Sequence, residues 1–195
     1  MPPSATERHV LALIATDAAA LHVAPPRVRF VESCGGPCYE ALFNRIEIDR
    51  ETLALPDPLL RIVVAHEVGH ATQRATMLFD FACTLMATTA LLTIPCIAFA
   101  TSADVDLWHV GVPGLGFMAA FIACSKIWRA HGAKRSAALE LDADAKAAAI
   151  CGAAPALAAL EAMATRAPIS AARLHAMRAR NEAHRRNPAP RASGR

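Results

Sequence analysis

The sequence has few aromatic and few charged residues, and this scarcity excludes several classes of protein. Aromatic residues make up 5% of the 195 residues, with a single tyrosine, which argues against a surface on which nucleic-acid bases stack. Charged residues make up 19% and the formal net charge is only +3, so the dense basic patch of a nucleic-acid-binding domain is missing. The six cysteines are too irregularly spaced for a disulfide scaffold. We therefore expect no nucleic-acid partner.

Apolar residues are abundant instead, at 54% of the chain, and they cluster in two long runs. Residues 81–100 and residues 107–125 contain no charged side chain. A helix of roughly 20 apolar residues is long enough to cross the hydrocarbon core of a bilayer. Because only residues 101–106 join the runs, we expect a two-helix transmembrane hairpin in contact with the lipid bilayer. The alternative is a pair of helices buried in a soluble core.

The distribution of basic residues predicts the orientation of this hairpin. Seven of the twenty Lys and Arg residues precede residue 81 and thirteen follow residue 125, whereas the joining loop carries Asp104 and Asp106. The positive-inside rule then places both polar regions on the cytoplasmic side of the membrane. We expect this membrane to be a bacterial-type inner (plasma) membrane. The predicted parts are a cytoplasmic N-terminal part (1–78), the transmembrane hairpin (79–128), a helical part (129–184) and a basic tail (185–195).

The polar parts predict a mainly α (α+β) fold with a small antiparallel β element. Ser4 and Glu7 form a capping box for an N-terminal helix. Alternation of polar and apolar residues at 27–32 and 44–50 predicts two half-buried strands in a hairpin. Further helices are expected over residues 58 to about 77, feeding into the first span, and over 130–151, about 155–165 and about 170–184.

The clearest chemical signal is His66-Glu67-Val68-Gly69-His70, an HExxH motif in the helix before the first span. Two histidines four positions apart project from the same helix face, so both imidazoles can reach one metal ion. Glu67, beside the first histidine, is placed to take a proton from a water that the ion activates. We predict His66 and His70 as metal ligands and Glu67 as the catalytic base; the alternative is a solvated helix with incidental histidines.

A third ligand is expected downstream, and Glu140 is the strongest candidate. Glu140 and Asp144 are four residues apart on one helix face, so Glu140 can bind the ion while Asp144 orients a histidine ligand. At 1.5 Å per residue, His70 lies roughly 16 Å before the first span and Glu140 roughly 22 Å after the second. An antiparallel hairpin would therefore bring them together. Two histidines, one glutamate and an open position suit one zinc ion per chain best.

The motif HExxH, two apolar runs and ExxxD within a Glu-x-x-Ala-Asp phrase resemble the HtpX-like and CAAX-prenyl-protease-like membrane zinc metallopeptidases, which are gluzincins. The resemblance covers about residues 44 to 163. Residues 64–73 together with Glu140-Leu-Asp-Ala also resemble the YugP-type neutral zinc membrane peptidases, as a close second.

This resemblance implies a zincin-like core and an integral-membrane endopeptidase, with zinc held by His66, His70 and Glu140. It also implies that the strand at 44–50 lies beside an extended substrate. The sequence departs from the HtpX pattern by lacking two earlier spans and a His-Pro phrase after the third ligand. His175 and Arg178 are candidates to stabilise the oxyanion, although a solvated helix face explains them as well.

The function expected from the sequence is zinc-dependent hydrolysis of peptide bonds in membrane or membrane-proximal proteins. Two alternatives stay open at this point. One is a catalytically inactive, membrane-anchored zinc-binding scaffold or regulatory protein. The other is a soluble metallopeptidase without a membrane role.

Overall fold

The computed structural model describes residues 2–33, 35–100, 107–165 and 168–186, and these residues are mainly helical with one small sheet. The elements in chain order are α1 (Ala5–Ala20), β1 (Arg27–Val31), β2 (Cys38–Glu40), β3 (Arg45–Asp49), α2 (Arg50–Leu53), α3 (Asp57–Ala71), α4 (Arg74–Ala100), α5 (Leu107–Cys151), α6 (Ala153–Ala164) and α7 (Ala171–Arg186). The predicted loop at 101–106 and the tail from residue 187 onward lie outside the described residues.

Helix α1 confirms the predicted capping box and packs against α3 through a buried ion pair. The Ser4 hydroxyl accepts from the Glu7 backbone N–H, and the Glu7 carboxylate accepts from the Ser4 backbone N–H. Asp17 is fully buried, and its carboxylate accepts a hydrogen bond from each terminal nitrogen of Arg61 on α3. A buried carboxylate without such a partner would be strongly destabilising, so this pair specifies how α1 docks on α3.

The sheet is mixed, and the expectation of an antiparallel β element is wrong. β1 pairs in parallel with β3, β2 pairs antiparallel with β3, and the strand order is β1-β3-β2. The reason is the short strand β2. It reverses the chain direction between β1 and β3, so that β1 and β3 run in the same direction. Strand β3 is consequently central. It is not the sheet edge that an extended substrate would need.

The helix that carries the HExxH motif is shorter than predicted. α3 ends at Ala71, with Thr72 as its C-cap, and α4 begins only at Arg74. The side-chain hydroxyl of Thr72 donates to the Gly69 carbonyl at 2.8 Å, an interaction that competes with continued helical bonding. A break therefore separates the motif from the apolar helix, where the sequence predicted one uninterrupted helix from residue 58 to about 77.

The second apolar run and the following helix form one element. α5 extends from Leu107 to Cys151. It ends as predicted before Gly152, whose φ of 94° is a left-handed conformation that glycine tolerates. Residues 126–129 contain no glycine or proline, so nothing there ends the helix.

Contacts divide the chain into two compact units, Met1–Ala75 with Ala138–Arg195, and Thr76–Ala137. In the first unit, the core beneath the HExxH helix is built from small and branched side chains of α3, α5, α6 and α7. Its buried cluster comprises Ile62, Ala148, Ala156, Ala159, Leu160 and Met177. The alanines of this cluster lie on α5 and α6, beside larger apolar side chains of α3, α6 and α7.

The second unit exposes large apolar side chains. Within the described residues, one helical segment, Arg74–Ile97, is long and apolar enough to cross a membrane by length and composition. Met86 is 72% exposed and Leu115 74% exposed. The two-helix transmembrane hairpin and the zincin-like core stay predictions.

Candidate metal centre

Helix α3 presents both histidines of the motif from a largely buried position. The side chains of His66 and His70 are 15% and 11% exposed. Their ring centroids lie 4.8 Å apart with nearly perpendicular planes. This is the spacing expected of positions i and i+4 on one helix face, and Val64 and Val68 are buried on the other sides of the helix.

Helix α5 brings Glu140 and Asp144 to the same place. The close approach of the two helices depends on Gly69, because a Cβ built there would lie 3.1 Å from both the Cα and the carbonyl oxygen of Ala143. Ala143 is fully buried and lies between Glu140 and Asp144 on α5. The glycine inside the HExxH motif therefore lets the helix with the two acidic residues pack directly against the helix with the two histidines.

The three predicted ligands converge. Nε2 of His66 lies 3.4 Å from Oε2 of Glu140, and Nε2 of His70 lies 3.5 Å from Oε1 of Glu140. One ligand atom from each of the three residues lies within 4.8 Å of the others. This grouping of His66, His70 and Glu140 is the set expected from the sequence.

The donor set fits a tetrahedral metal ion. Imidazole nitrogens and carboxylate oxygens are the usual ligand atoms of tetrahedral zinc, and here one such atom from each residue lies within 4.8 Å of the others. Two imidazoles and one carboxylate leave one of four tetrahedral positions open, as in hydrolytic zinc sites. The residues present therefore lie close enough together to hold a metal ion, and zinc as that ion stays a prediction.

Asp144 contacts His66, as expected from the sequence. Its Oδ1 lies 2.9 Å from Nδ1 of His66, on the ring edge opposite the nitrogen that faces Glu140. Arg173 of α7 holds both acidic residues: its Nε and one terminal nitrogen each donate to Asp144 at 2.7 Å, and its other terminal nitrogen lies 2.8 Å from Oε2 of Glu140. The planar guanidinium of Arg173 thus orients both Glu140 and Asp144, the residue that contacts His66.

Electrostatics in the site follow from these contacts. Burial lowers the pKa of His66, but hydrogen bonds with Asp144 and Glu140 outweigh burial and raise that pKa from 6.5 to about 9 in the metal-free protein. Hydrogen bonds with His66 and His70 hold the pKa of Glu140 far below its usual range. Burial raises the pKa of Asp144, but the hydrogen bonds from His66 and Arg173 prevail and lower it.

Glu67 is buried, with 7% of its surface exposed. Burial raises the pKa of Glu67. This effect outweighs His66, His70 and a backbone hydrogen bond from Tyr39 of β2, each of which lowers that pKa. A raised carboxyl pKa makes the carboxylate a stronger proton acceptor, which suits a general base. Tyr39 also shows that β2, an edge strand, lies beside Glu67. The resemblance had implied instead that the strand at 44–50 lies beside an extended substrate.

His175 and Arg178 lie elsewhere on α7. Arg178 donates to Glu161 of α6 at 2.7 Å, and both His175 and Arg178 are exposed. Arg173, which the sequence reasoning missed, makes the contact with the site instead. The signal for it was helical spacing: Arg173 lies four residues before the buried Met177, so it shares the inward face of α7.

Gln73 was also missed. Its side-chain oxygen lies 3.1 Å from Nδ1 of His70, so each histidine has a partner on its Nδ1. The signal was its position three residues after His70, within reach of the same helix face.

No family model, curated protein or solved structure matches the chain.

Proposed function

We propose that the protein is a membrane-anchored zinc metallopeptidase that hydrolyses peptide bonds of membrane or membrane-proximal proteins. The observation that supports this most strongly is the convergence of His66, His70 and Glu140 within 4.8 Å, beside a buried Glu67. A metal-binding scaffold needs only the three ligands, whereas a buried carboxylate beside them is the arrangement that a general base requires.

The residues divide the chemistry among themselves. A zinc ion held by His66, His70 and Glu140 would polarise the scissile carbonyl and acidify the attacking water. Glu67 would accept the proton of that water and later donate it to the leaving amine. Arg173 keeps Glu140 in place while the peptide binds. An extended substrate would lie beside β2, the edge strand whose Tyr39 backbone is bonded to Glu67.

The membrane anchor is proposed from the apolar surface of the second unit. A contiguous set of exposed apolar side chains on a long helix is costly in water and marks a contact with lipid or protein. Leu85, Met86 and Ile94 of α4 are each more than half exposed. With seven basic residues before this apolar region and thirteen after it, the positive-inside rule favours a catalytic side that faces the cytoplasm.

The test of catalysis compares detergent-purified wild type with Glu67→Gln. Zinc content is measured by elemental analysis, and hydrolysis of a casein-type substrate is measured on the same samples with and without chelator. We expect Glu67→Gln to keep its zinc and to lose about 10²–10⁴-fold in rate. Glu182→Gln, at an exposed position of α7, is the matched control and should cleave like wild type.

Three results would contradict parts of the proposal. Unchanged turnover in Glu67→Gln would exclude Glu67 as the base. A wild type that holds zinc without chelator-sensitive hydrolysis would favour the scaffold alternative. Extraction with alkaline carbonate tests the membrane part, since release into the soluble fraction would contradict the anchor.

A further inference from the structure

Gln73, the only glutamine in the sequence, lies in the break between α3 and α4. Its side chain is buried, with 6% of the residue exposed. In the break the backbone N–H groups of Thr72 and Gln73 donate to the carbonyls of Gly69 and His70, which are the i→i−3 bonds of a tight turn. This turn places the Gln73 side chain between His70 and helix α5.

The partners of the Gln73 amide determine which end faces His70. Its Nε2 donates to the Leu139 carbonyl at 2.9 Å and to Oδ2 of Asp142 at 2.7 Å. A carbonyl and a carboxylate can only accept hydrogen bonds, so they require the NH₂ end of the amide. The oxygen end is therefore turned toward Nδ1 of His70, 3.1 Å away.

An amide oxygen can only accept, and this requirement determines the state of the imidazole. Nδ1 of His70 must carry a proton to bond to it, so in the neutral imidazole Nε2 keeps the lone pair that a metal ligand needs. That Nε2 lies 3.5 Å from Glu140. We propose that Gln73 is a positioning residue of the metal site: its amide, oriented by Leu139 and Asp142, holds His70 with Nδ1 protonated and Nε2 directed at the ion.

This role rests on the metal site of the proposed function but not on peptide hydrolysis. Asp142 is itself held by Lys146, whose Nζ lies 2.5 Å from Oδ2 of Asp142 and also bonds to the Thr72 hydroxyl. Asp142 of α5 therefore contacts Gln73, which contacts His70, and Lys146 of α5 also bonds to Thr72 at the end of α3. Helix α5 thus supplies the ligand Glu140 and, through Gln73, also orients the ligand His70.

The experiment uses three variants of the full-length protein in detergent: Gln73→Met, Gln73→Glu, and Gln73→Glu combined with Asp142→Asn. Gln73→Met keeps the size and removes the amide. Gln73→Glu keeps an acceptor for Nδ1 of His70, but it places a second carboxylate beside that of Asp142. It also removes the N–H donors of the amide. In the double variant the new amide at position 142 can donate to the new carboxylate at position 73, so the hydrogen bond between the two positions is made again with its direction reversed, while a carboxylate oxygen still accepts from His70. Glu182→Gln is the matched surface control.

The first measurement is the imidazole ¹H–¹⁵N spectrum of histidine-labelled, metal-free protein. We expect a slowly exchanging Nδ1–H of His70 in wild type and in the double variant, and no such signal in Gln73→Met. The second measurement is zinc affinity by chelator competition. Loss of a partner that orients a ligand weakens metal binding by about 10–100-fold, so Gln73→Met and Gln73→Glu should both bind zinc that much more weakly. The double variant should recover most of the loss.

A role in packing alone predicts a different order, because Gln73→Met would then be the mildest change and Asp142→Asn would not rescue Gln73→Glu. The proposal is overturned if Gln73→Met keeps the Nδ1–H signal and wild-type zinc affinity, or if the double variant binds zinc no better than Gln73→Glu. Neither measurement depends on cleavage. A wild type that binds zinc but hydrolyses nothing would therefore contradict the proposed function and leave this inference standing.

Discussion

Replacing Gly69 by alanine tests whether the close contact of α3 and α5 builds the metal site. The added Cβ would lie 3.1 Å from the Cα and the carbonyl oxygen of Ala143 and 3.4 Å from its Cβ. Comfortable contacts between such atoms are about 3.5–4.0 Å, so the helices must separate by roughly 0.4–0.9 Å. Backbone atoms cannot rotate away as a side chain can. Ligand distances at metal sites tolerate only about 0.2 Å, so this separation is large enough to pull Glu140 from the histidines.

The stability effect of this change is smaller than its effect on metal binding. Overpacking costs about 1–3 kcal/mol, whereas alanine improves on glycine inside a helix by about 1 kcal/mol. The net loss of unfolding free energy is then about 0–2 kcal/mol, so the variant should fold. Zinc affinity should fall by about tenfold or more, the size of effect seen when ligand orientation is disturbed.

Chelator competition and thermal unfolding on the same purified samples measure the two effects. Gly132→Ala is the matched control, because a Cβ there meets nothing within 4 Å and only the helix propensity changes. Gly69→Ala with zinc affinity within about twofold of wild type would refute the reasoning, since the helices would then have absorbed the added methyl group without moving the ligands.

Three further changes probe the same site. Glu140→Ala should lose zinc and hydrolysis together, and full metal occupancy by elemental analysis would exclude Glu140 as a ligand. Arg173→Lys should weaken zinc binding by about tenfold, because an ammonium cannot hold both Asp144 oxygens and Glu140 at once; Arg178→Lys, whose arginine pairs with Glu161, is the control and should bind zinc normally. In metal-free protein, the raised pKa of His66 stabilises the fold fully below pH 6.5, and this stabilisation is lost as pH rises through about 9. The unfolding temperature of chelator-treated wild type should fall over that pH range, and that of chelator-treated His66→Ala should not. Parallel pH profiles of the two proteins would contradict the raised pKa of His66.

The residues of the site that could be predicted from the sequence are those related by local spacing. His66 with His70, and Glu140 with Asp144, are each four residues apart, and any α-helix places such pairs on one face. The capping box at Ser4 and the helix end at Gly152 are likewise local, because they depend on the φ angle or hydrogen bond of a single residue.

The remaining features depend on contacts between segments that are far apart in the sequence. The direction of β1 relative to β3 was predicted wrongly because it depends on β2, a three-residue strand after a turn-rich segment. Spacing could place Arg173 on the inward face of α7, but not beside Asp144, which is 29 residues away.

Local periodicity thus identified which side chains could bind a metal and which helix faces carry them. Packing settled which of those faces meet, because Gly69 and Ala143 allow α3 and α5 to approach to backbone contact. Packing also settled which end of the Gln73 amide faces His70, since the Leu139 carbonyl, 66 residues away, accepts from the NH₂ end. A hydrogen bond across such a separation exists only after the helices have docked, and no pattern along the chain encodes its direction.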